Sequence, residues 1–387
     1  MSYYEFHVSR RYVQFEGALN ELPRYASSIG KKLLILVASI PNRVEETIKK
    51  AMLCPSGLMM QDELVRESSR YADHRKNAAH YDDLRQGMSY EFYEILDEIP
   101  SVNNIKAVAD YVRSKGFDTV VGVGGGRGLD FARAITHFVP VKVILVPTLT
   151  ATNAPISTLS VIYSEDGSTI EDYWRMDNAP DLTLVDTSII IDNPHNALAA
   201  GIGDITCTYY EGLTNLELSH TEKAYPDLSY RGLQLAVDVM KEEAPKALDA
   251  IKNHRITPAF ESVVSMIMHN CGPLWTACSM GLAHALDEVF LYFPQAHKIP
   301  HGLRVGFATI PMLAYAGWNV ERIEEYIAFC RKVGIPVSLR EMHMDAISEE
   351  QWKKAAAATI GKRKALDSLP YKVTFDQLLS ILLKYEG

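Results

Sequence analysis

The first strong pattern in the chain is Lys32-Leu33-Leu34-Ile35-Leu36-Val37-Ala38, an uninterrupted apolar run with β-branched members. Strands buried on both faces of a parallel sheet have this character, so the run predicts an early central strand. Similar runs follow at Thr119-Val120-Val121-Gly122-Val123, at Val141-Lys142-Val143-Ile144-Leu145-Val146 and at Asp181-Leu182-Thr183-Leu184-Val185-Asp186. Between them the spacing becomes helical, over Val44 to Met52 and at Ile105, Val108, Ala109 and Val112 within Val102 to Lys115. Asp62 to Met88 is polar and charged and reads as helix, while Tyr93 to Ile99, stopped by Pro100, reads as a short strand. Leu159 to Tyr163 and Ser168 to Trp174, joined across Glu165-Asp166-Gly167, predict a β-hairpin. The alternation of strand and helix is the βαβ rhythm of a parallel sheet.

From Pro194 onward the β-branched runs stop and long helical patterns take over. This predicts an α/β domain with a parallel nucleotide-binding sheet over residues 1–192 and an all-α domain over residues 193–387. Thr257-Pro258 supplies the cap and first turn of an apolar helix through Ile267. Val320 to Gly387 reads as amphipathic helix with loops near Gly334-Ile335-Pro336 and Leu369-Pro370. A length of 387 residues calls for two domains in any case.

Composition narrows the class. Apolar residues make up 47% and charged residues 22%, as in an ordinary globular protein. The net charge of -9 argues against nucleic acid or an anionic membrane as a partner. Met1 to His7 lacks the design of a signal peptide, no apolar run is long enough to span a bilayer, and a cytoplasmic protein is expected. Five cysteines (Cys54, Cys207, Cys271, Cys278, Cys330), an odd number without paired spacing, fit reduced thiols.

Candidate chemistry appears where patterns meet. The strand at Thr119 runs straight into Gly124-Gly125-Gly126-Arg127-Gly128 and then a helical stretch. Backbone amides presented by such a turn cradle a phosphate or pyrophosphate, to which Arg127 adds a charge, although a plain tight turn has the same letters and the run is not GxGxxG. The strand ending at Pro147-Thr148 opens Leu149-Thr150-Ala151-Thr152-Asn153-Ala154-Pro155, a polar loop at a strand's carboxyl end, where ligands of open α/β sheets bind. In the second half, His284 lies in a small apolar helix and His301 between Pro300 and Gly302 at a turn. Imidazole is the commonest zinc ligand, and a catalytic zinc takes three protein ligands. Asp204, within Gly201-Ile202-Gly203-Asp204, is the candidate third, read as standing at a helix start where glycines permit close approach and the dipole favours a carboxylate. His269 and His297 are equally near, and Cys207 reads as a packing residue.

Gly122-Val123-Gly124-Gly125-Gly126, Val146-Pro147-Thr148, Ala154-Pro155 with Ser157, Leu159 and Tyr163, Ala200-Gly201-Ile202-Gly203-Asp204, Ala283-His284-Ala285 and His301-Gly302 occur in that order. Together they resemble the glycerol dehydrogenase branch of the iron-containing (group III) alcohol dehydrogenase superfamily, relatives of dehydroquinate synthase, from about Leu33 to Val333. The resemblance implies a dehydroquinate synthase-like fold with an α/β nucleotide domain and a helical metal-binding domain. It implies one divalent ion, zinc with iron(II) as the alternative, held by Asp204, His284 and His301. It also implies NAD or NADP near Gly124, Gly125, Gly126, Arg127, Thr148, Ser157, Leu159 and Tyr163, and hydride transfer between that cofactor and a small alcohol, polyol or matching carbonyl compound. A homo-oligomer without nucleic-acid or membrane partners is expected. The alternative activity is a dehydroquinate synthase-type lyase or cyclase, which would bring more lysines and arginines than the Lys298 and Arg304 found near these histidines.

Three departures qualify the resemblance. Asn153 stands where the glycerol dehydrogenases have an aspartate that meets substrate hydroxyls, so the position keeps its hydrogen bonds and loses its charge. The glycine-loop lysine is Arg127, followed by Gly128 in place of a hydroxyl residue. The first strand ends in Ala38-Ser39-Ile40-Pro41-Asn42-Arg43, without the acidic residue that holds the ribose of NAD, so Ser39 and Arg43 are read as donors to an NADP 2′-phosphate.

Overall fold

The computed structural model describes residues 9–38, 42–53, 86–95, 99–219, 227–270, 281–360, 369 and 371–387. The chain divides into two compact units, one of His7–Leu149 with Ala154–Asp192 and the other of Asn193–Gly387 with the loop Thr150–Asn153.

The first unit holds strands β1 (Tyr12–Phe15), β2 (Lys32–Val37), β3 (Ser89–Glu94), β4 (Thr119–Gly124), β5 (Lys142–Pro147), β6 (Leu159–Tyr163), β7 (Ile170–Arg175) and β8 (Leu182–Asp186). Six of them form one sheet in the order β1-β8-β5-β4-β2-β3, parallel at every pairing. Side chains alternate across a strand, and here both faces are covered. Leu34, Leu36, Val120 and Leu145 pack on Val108, Val112 and Phe131. Leu33, Ile35, Val121, Ile144 and Leu184 pack on Leu19, Leu22, Val44 and Ile48 from the opposite face. The helices supplying these partners are α1 (Leu22–Ser27), α2 (Asn42–Leu53), α3 (Val102–Lys115) and α4 (Gly126–Ala134), with Leu19 coming from the short 3-10 turn Ala18–Glu21. Double coverage explains why the four apolar runs carry no polar alternation.

The structure moves one strand and adds another. β3 begins at Ser89 and ends at Glu94, upstream of the stretch expected to be extended, and it pairs outside β2, which is therefore one place from the edge. Its half-buried Tyr90 and Phe92 alternate with exposed Ser89 and Glu91, the habit of an edge strand. Residues 96–98, and residues 62–85 of the polar stretch read as helix, lie outside the described residues. β1, four half-buried residues, was not anticipated. The hairpin forms as read, antiparallel, with Gly167 at φ 68° in its turn.

A buried ion pair ties the hairpin to α4. Asp130 and Arg133 bond at 2.9 Å, Arg133 also donates to the carbonyls of Ala154 and Leu159, and Asp130 accepts from the Val161 amide at 3.2 Å. The segment that follows the Thr150–Asn153 loop is thereby fixed to the sheet's helix layer.

The second unit is helical, with α5 (His195–Ser219), α6 (Asp227–Lys252), α7 (Pro258–Ser265), α8 (Leu282–Phe290), α9 (His301–Tyr315), α10 (Val320–Val333), α11 (Glu349–Ile360) and α12 (Phe375–Leu382). Thr257 caps α7 by accepting the Phe260 amide at 3.2 Å. Among the described residues no helix is long and apolar enough to cross a membrane.

The decisive packing is between α5 and α9. A methyl on Gly203 would lie 2.2 Å from the Gly302 carbonyl oxygen, and one on Gly302 would lie 1.8 Å from that of Ala200. Gly201 does the same for the loop, since a methyl there would meet the Thr150 carbonyl at 2.0 Å. Backbone lies on backbone along this seam, and only glycine fits.

Gly302→Ala is therefore expected to force α5 and α9 apart at a cost of about 1–3 kcal/mol or more. Thermal unfolding checks it, and an unchanged melting temperature would contradict the seam.

Candidate metal centre and nucleotide turn

The glycine seam determines where Asp204 points. Asp204 lies well inside α5, the helix beginning at His195, so the expected helix-start position is corrected. Gly201 and Gly203, expected to let the backbone approach closely, do so within the helix, against the Thr150 and Gly302 carbonyls, and the N-terminal dipole plays no part at Asp204. The neighbouring Gly302 is the second residue of α9, which places His301 at that helix's first position beside Asp204. His284 enters from α8, a helix buried along its whole length.

These three side chains converge. Asp204 Oδ1 is 3.6 Å from His284 Nε2 and 3.7 Å from His301 Nε2, and the two imidazole centroids are 5.2 Å apart. One donor atom from each of the three lies within 4.8 Å of the others. A tetrahedral ion with bonds of about 2.0–2.1 Å needs its donors about 3.3 Å apart, so a small inward movement closes this set around a divalent cation. Asp204 and His284 are buried, while His301 is about two-fifths exposed, leaving one side of the triad open.

Each imidazole has a carboxylate behind it. His284 Nδ1 bonds Glu211 Oε2 at 2.8 Å, and His301 Nδ1 bonds Asp287 Oδ2 at 2.8 Å. Both rings therefore turn Nε2 towards Asp204, as in carboxylate–histidine–metal chains. Arg304 grips Asp287 through Nε at 2.5 Å and Nη2 at 3.1 Å, and its other nitrogen donates to the carbonyls of Ala296 and Ile299. Of the three carboxylates around the rings, Asp204, Glu211 and Asp287, only Asp287 is paired with the Arg304 guanidinium, and Asp204 and Glu211 meet the imidazoles. Burial opposes a charge on His284, but Glu211, Cys207 and Asp204 together outweigh it and hold the ring's pKa well above the ordinary imidazole value. Burial likewise disfavours the Asp287 carboxylate, yet Arg304 and then His301 hold its pKa below the usual range. The surroundings favour a cation.

A second donor group, Cys207, Glu211 and His284, shares one imidazole. Burial pushes the Cys207 thiol up to about 12, so it stays protonated, with its sulfur 3.8 Å from His284 Nδ1. Cys207 stands on the Nδ1 side of His284, while Asp204 faces Nε2, and it reads as a packing residue. His297 Nε2 bonds the Leu291 carbonyl instead of joining the triad, and the side chain of His269 lies outside the described residues.

The nucleotide candidates belong to the first unit. Gly124 ends β4, Gly125 caps α4 without a side chain, and Gly126 opens that helix, so its first amides have no side-chain acceptor. The glycines also serve packing: a methyl on Gly124 or Gly128 would lie 2.7 or 2.5 Å from Ala38 Cβ. The Thr148 amide donates to the Gly124 carbonyl at 3.0 Å, joining the ends of β4 and β5. Arg127 lies over the Tyr163 ring, 4.5 Å from its centroid, and Ser157 Oγ accepts the Leu159 amide at 2.9 Å. Ser39 lies outside the described residues. Arg43, expected to await a 2′-phosphate, is instead ion-paired with Asp192 and 3.4 Å from the Ser188 carbonyl. Asn153 sits half-buried in a bend of the Thr150–Asn153 loop.

The family described as iron-containing alcohol dehydrogenase matches residues 64–187. The chain is 32% identical over 286 residues to glycerol dehydrogenase of Escherichia coli O6:H1, covering 73% of this chain and 78% of that protein. It is 30% identical over 277 residues to glycolaldehyde reductase of Halobacterium salinarum, covering 71% and 76% respectively. A solved structure of a probable glycerol dehydrogenase from Sinorhizobium meliloti shares the fold, with a TM-score of 0.82 at 23% identity over 100% of this chain and 98% of that one.

Asp287 gives a pH signature. A carboxylate with a depressed folded pKa contributes stability that is present above its unfolded value and lost as pH falls through the folded one. Asp287→Asn should cost on the order of 3–5 kcal/mol at neutral pH, because it leaves Arg304 buried and unpaired. The gap between native protein and variant should narrow as pH drops below 3.8, the ordinary carboxylate value. Denaturant unfolding across that range checks this, and a gap that stays constant would count against the pairing.

Proposed function

Since the chain belongs to the iron-containing alcohol dehydrogenase family, as its 32% identity to a glycerol dehydrogenase over 73% of its length shows, we propose that Asp204, His284 and His301 hold the divalent ion of an NAD-linked alcohol dehydrogenase. The reaction moves a hydride between the nicotinamide and a small alcohol or polyol, alcohol and NAD giving carbonyl compound, NADH and a proton. The observation that carries the metal assignment is the convergence of one carboxylate and two imidazoles, each imidazole backed by its own carboxylate. Two imidazoles and one carboxylate are donors that zinc and iron(II) both accept, and donor separations of 3.6 and 3.7 Å suit the tetrahedral arrangement of zinc.

A bound divalent ion supplies Lewis acidity that lowers the pKa of an alcohol and polarises a carbonyl. The protein's own part is placement. Asp204 and His284, both buried, set two fixed corners, and His301 stands at the exposed side where a substrate can approach. The uncapped start of α4 offers amides to a pyrophosphate, with Arg127 beside it. NADP would have to draw Arg43 from Asp192, an exposed pair worth little on its own. The lyase reading finds less support. Arg304, the cation beside the imidazoles, is committed to Asp287 and to backbone carbonyls, and the relatives above are named for oxidation or reduction.

Asn153 bears on the substrate. An amide can donate and accept hydrogen bonds but takes up no proton, and it does not repel a carboxylate as aspartate would. We read the preferred substrate as an aldehyde, diol or 2-oxo acid whose second oxygen meets this neutral amide. A substrate panel in both directions, following NADH absorbance, tests the reading on native protein, Asn153→Asp and chelator-stripped protein. Expected are metal-dependent turnover and a ranking that shifts towards glycerol in Asn153→Asp. Undiminished turnover after stripping would overturn the metal assignment, and an unchanged ranking would remove Asn153 from specificity.

A further inference from the structure

Glu211 contacts both the backbone and the ring of a single residue, His284. It lies on α5, seven residues beyond Asp204 and so on the same helix face. The residue is fully buried, in a place opened for it by Gly281, where a methyl would lie 2.6 Å from Glu211 Cβ. Oε1 accepts the backbone N–H of His284 at 2.8 Å, and Oε2 meets Nδ1 of the same residue at 2.8 Å. That backbone N–H is one of the unpaired amides in the first turn of α8, whose cap, Gly281, has no side chain to offer. One carboxylate thus caps the helix and holds the ring it carries.

We propose that Glu211 is a positioning residue that sets the tautomer of His284, keeping the proton on Nδ1 and the lone pair of Nε2 aimed at the ion. The proposal rests on the metal reading above. A carboxylate only accepts hydrogen bonds, so the nitrogen facing it must carry the proton, and in a neutral imidazole the other nitrogen is then the donor to metal. Because the same carboxylate caps α8, ring orientation and helix start are set together, which fixes Nε2 relative to Asp204 on the same α5 face.

Glu211→Gln separates the two duties. A glutamine has one accepting oxygen, and the backbone N–H of His284 must have it, which turns the amide nitrogen towards Nδ1. That contact selects the tautomer with the proton on Nε2, where the ion should bind. The test is titration of chelator-stripped protein with zinc ion alone, beside the thermal unfolding of the stripped forms. Expected is a zinc Kd raised about 10–100-fold in the variant, with stripped proteins that melt within a few degrees of each other and turnover restored by excess zinc. Native uptake undiminished in Glu211→Gln would overturn this proposal while leaving the metal reading standing. Native protein that takes up no zinc would overturn both. A variant that does not fold still leaves a direct reading, from nitrogen-15 histidine spectra of zinc-loaded native protein, with His284 assigned by its loss in His284→Gln. A proton on Nδ1 and metal on Nε2 is the expected pattern, and metal on Nδ1 would overturn the proposal.

Discussion

The constraint on which the helical unit depends is the contact of bare backbone between α5 and α9. With side chains at Gly203 and Gly302 the helices would have to stand about 1 Å or more further apart, because each methyl would lie well inside van der Waals contact distance of a carbonyl oxygen. At the distance the glycines allow, a short aspartate on one helix reaches the first-turn imidazole of the other. Asp204 and His301 are brought together by absent side chains as much as by present ones.

The triad also depends on charge arranged one layer further out. Glu211 and Asp287 are buried acids whose natural partners are the Nδ1 hydrogens of the two histidines, and Arg304 offsets one of them. Burying carboxylates without compensation is costly, so the arrangement favours positive charge within it, from a protonated His284 or from a bound cation. A divalent ion satisfies that requirement, and the same acids would fix how the rings present themselves to it. In the sheet-bearing unit, close approach again decides the local geometry: Gly122, Gly124 and Gly128 let α4 and the end of β2 close on β4 where a methyl would collide with Ala132 or Ala38.

Much of this was legible in the sequence for identifiable reasons. β2, β4, β5 and β8 are covered on both faces, so their apolar runs are continuous and unmistakable. β1 and β3 are edge strands with half-buried faces, β1 only four residues long and β3 interrupted by Glu91 and Glu94, and such patterns fall below what periodicity detects. The metal candidates are visible as residue types and the close approach at Gly201 and Gly203 is legible too, but a glycine's letter does not say whether it stands at a helix start or within a helix seam. Glu211 carried a signal that was available, two helical turns after Asp204, as did Asp287, three residues after His284. Neither can be separated from ordinary surface acids until the helices are seen to cross. Arg43 shows the converse: its place after the first strand pointed to phosphate, and only the structure reveals Asp192 beside it.

The central claim is that the ion is held by one carboxylate and two imidazoles, with sulfur excluded. X-ray absorption at the zinc edge of the loaded protein tests it most directly. The account predicts oxygen and nitrogen scatterers with the outer-shell signature of two imidazoles. A sulfur shell at about 2.3 Å, which would bring in Cys207, or a site with no imidazole signature, would contradict it.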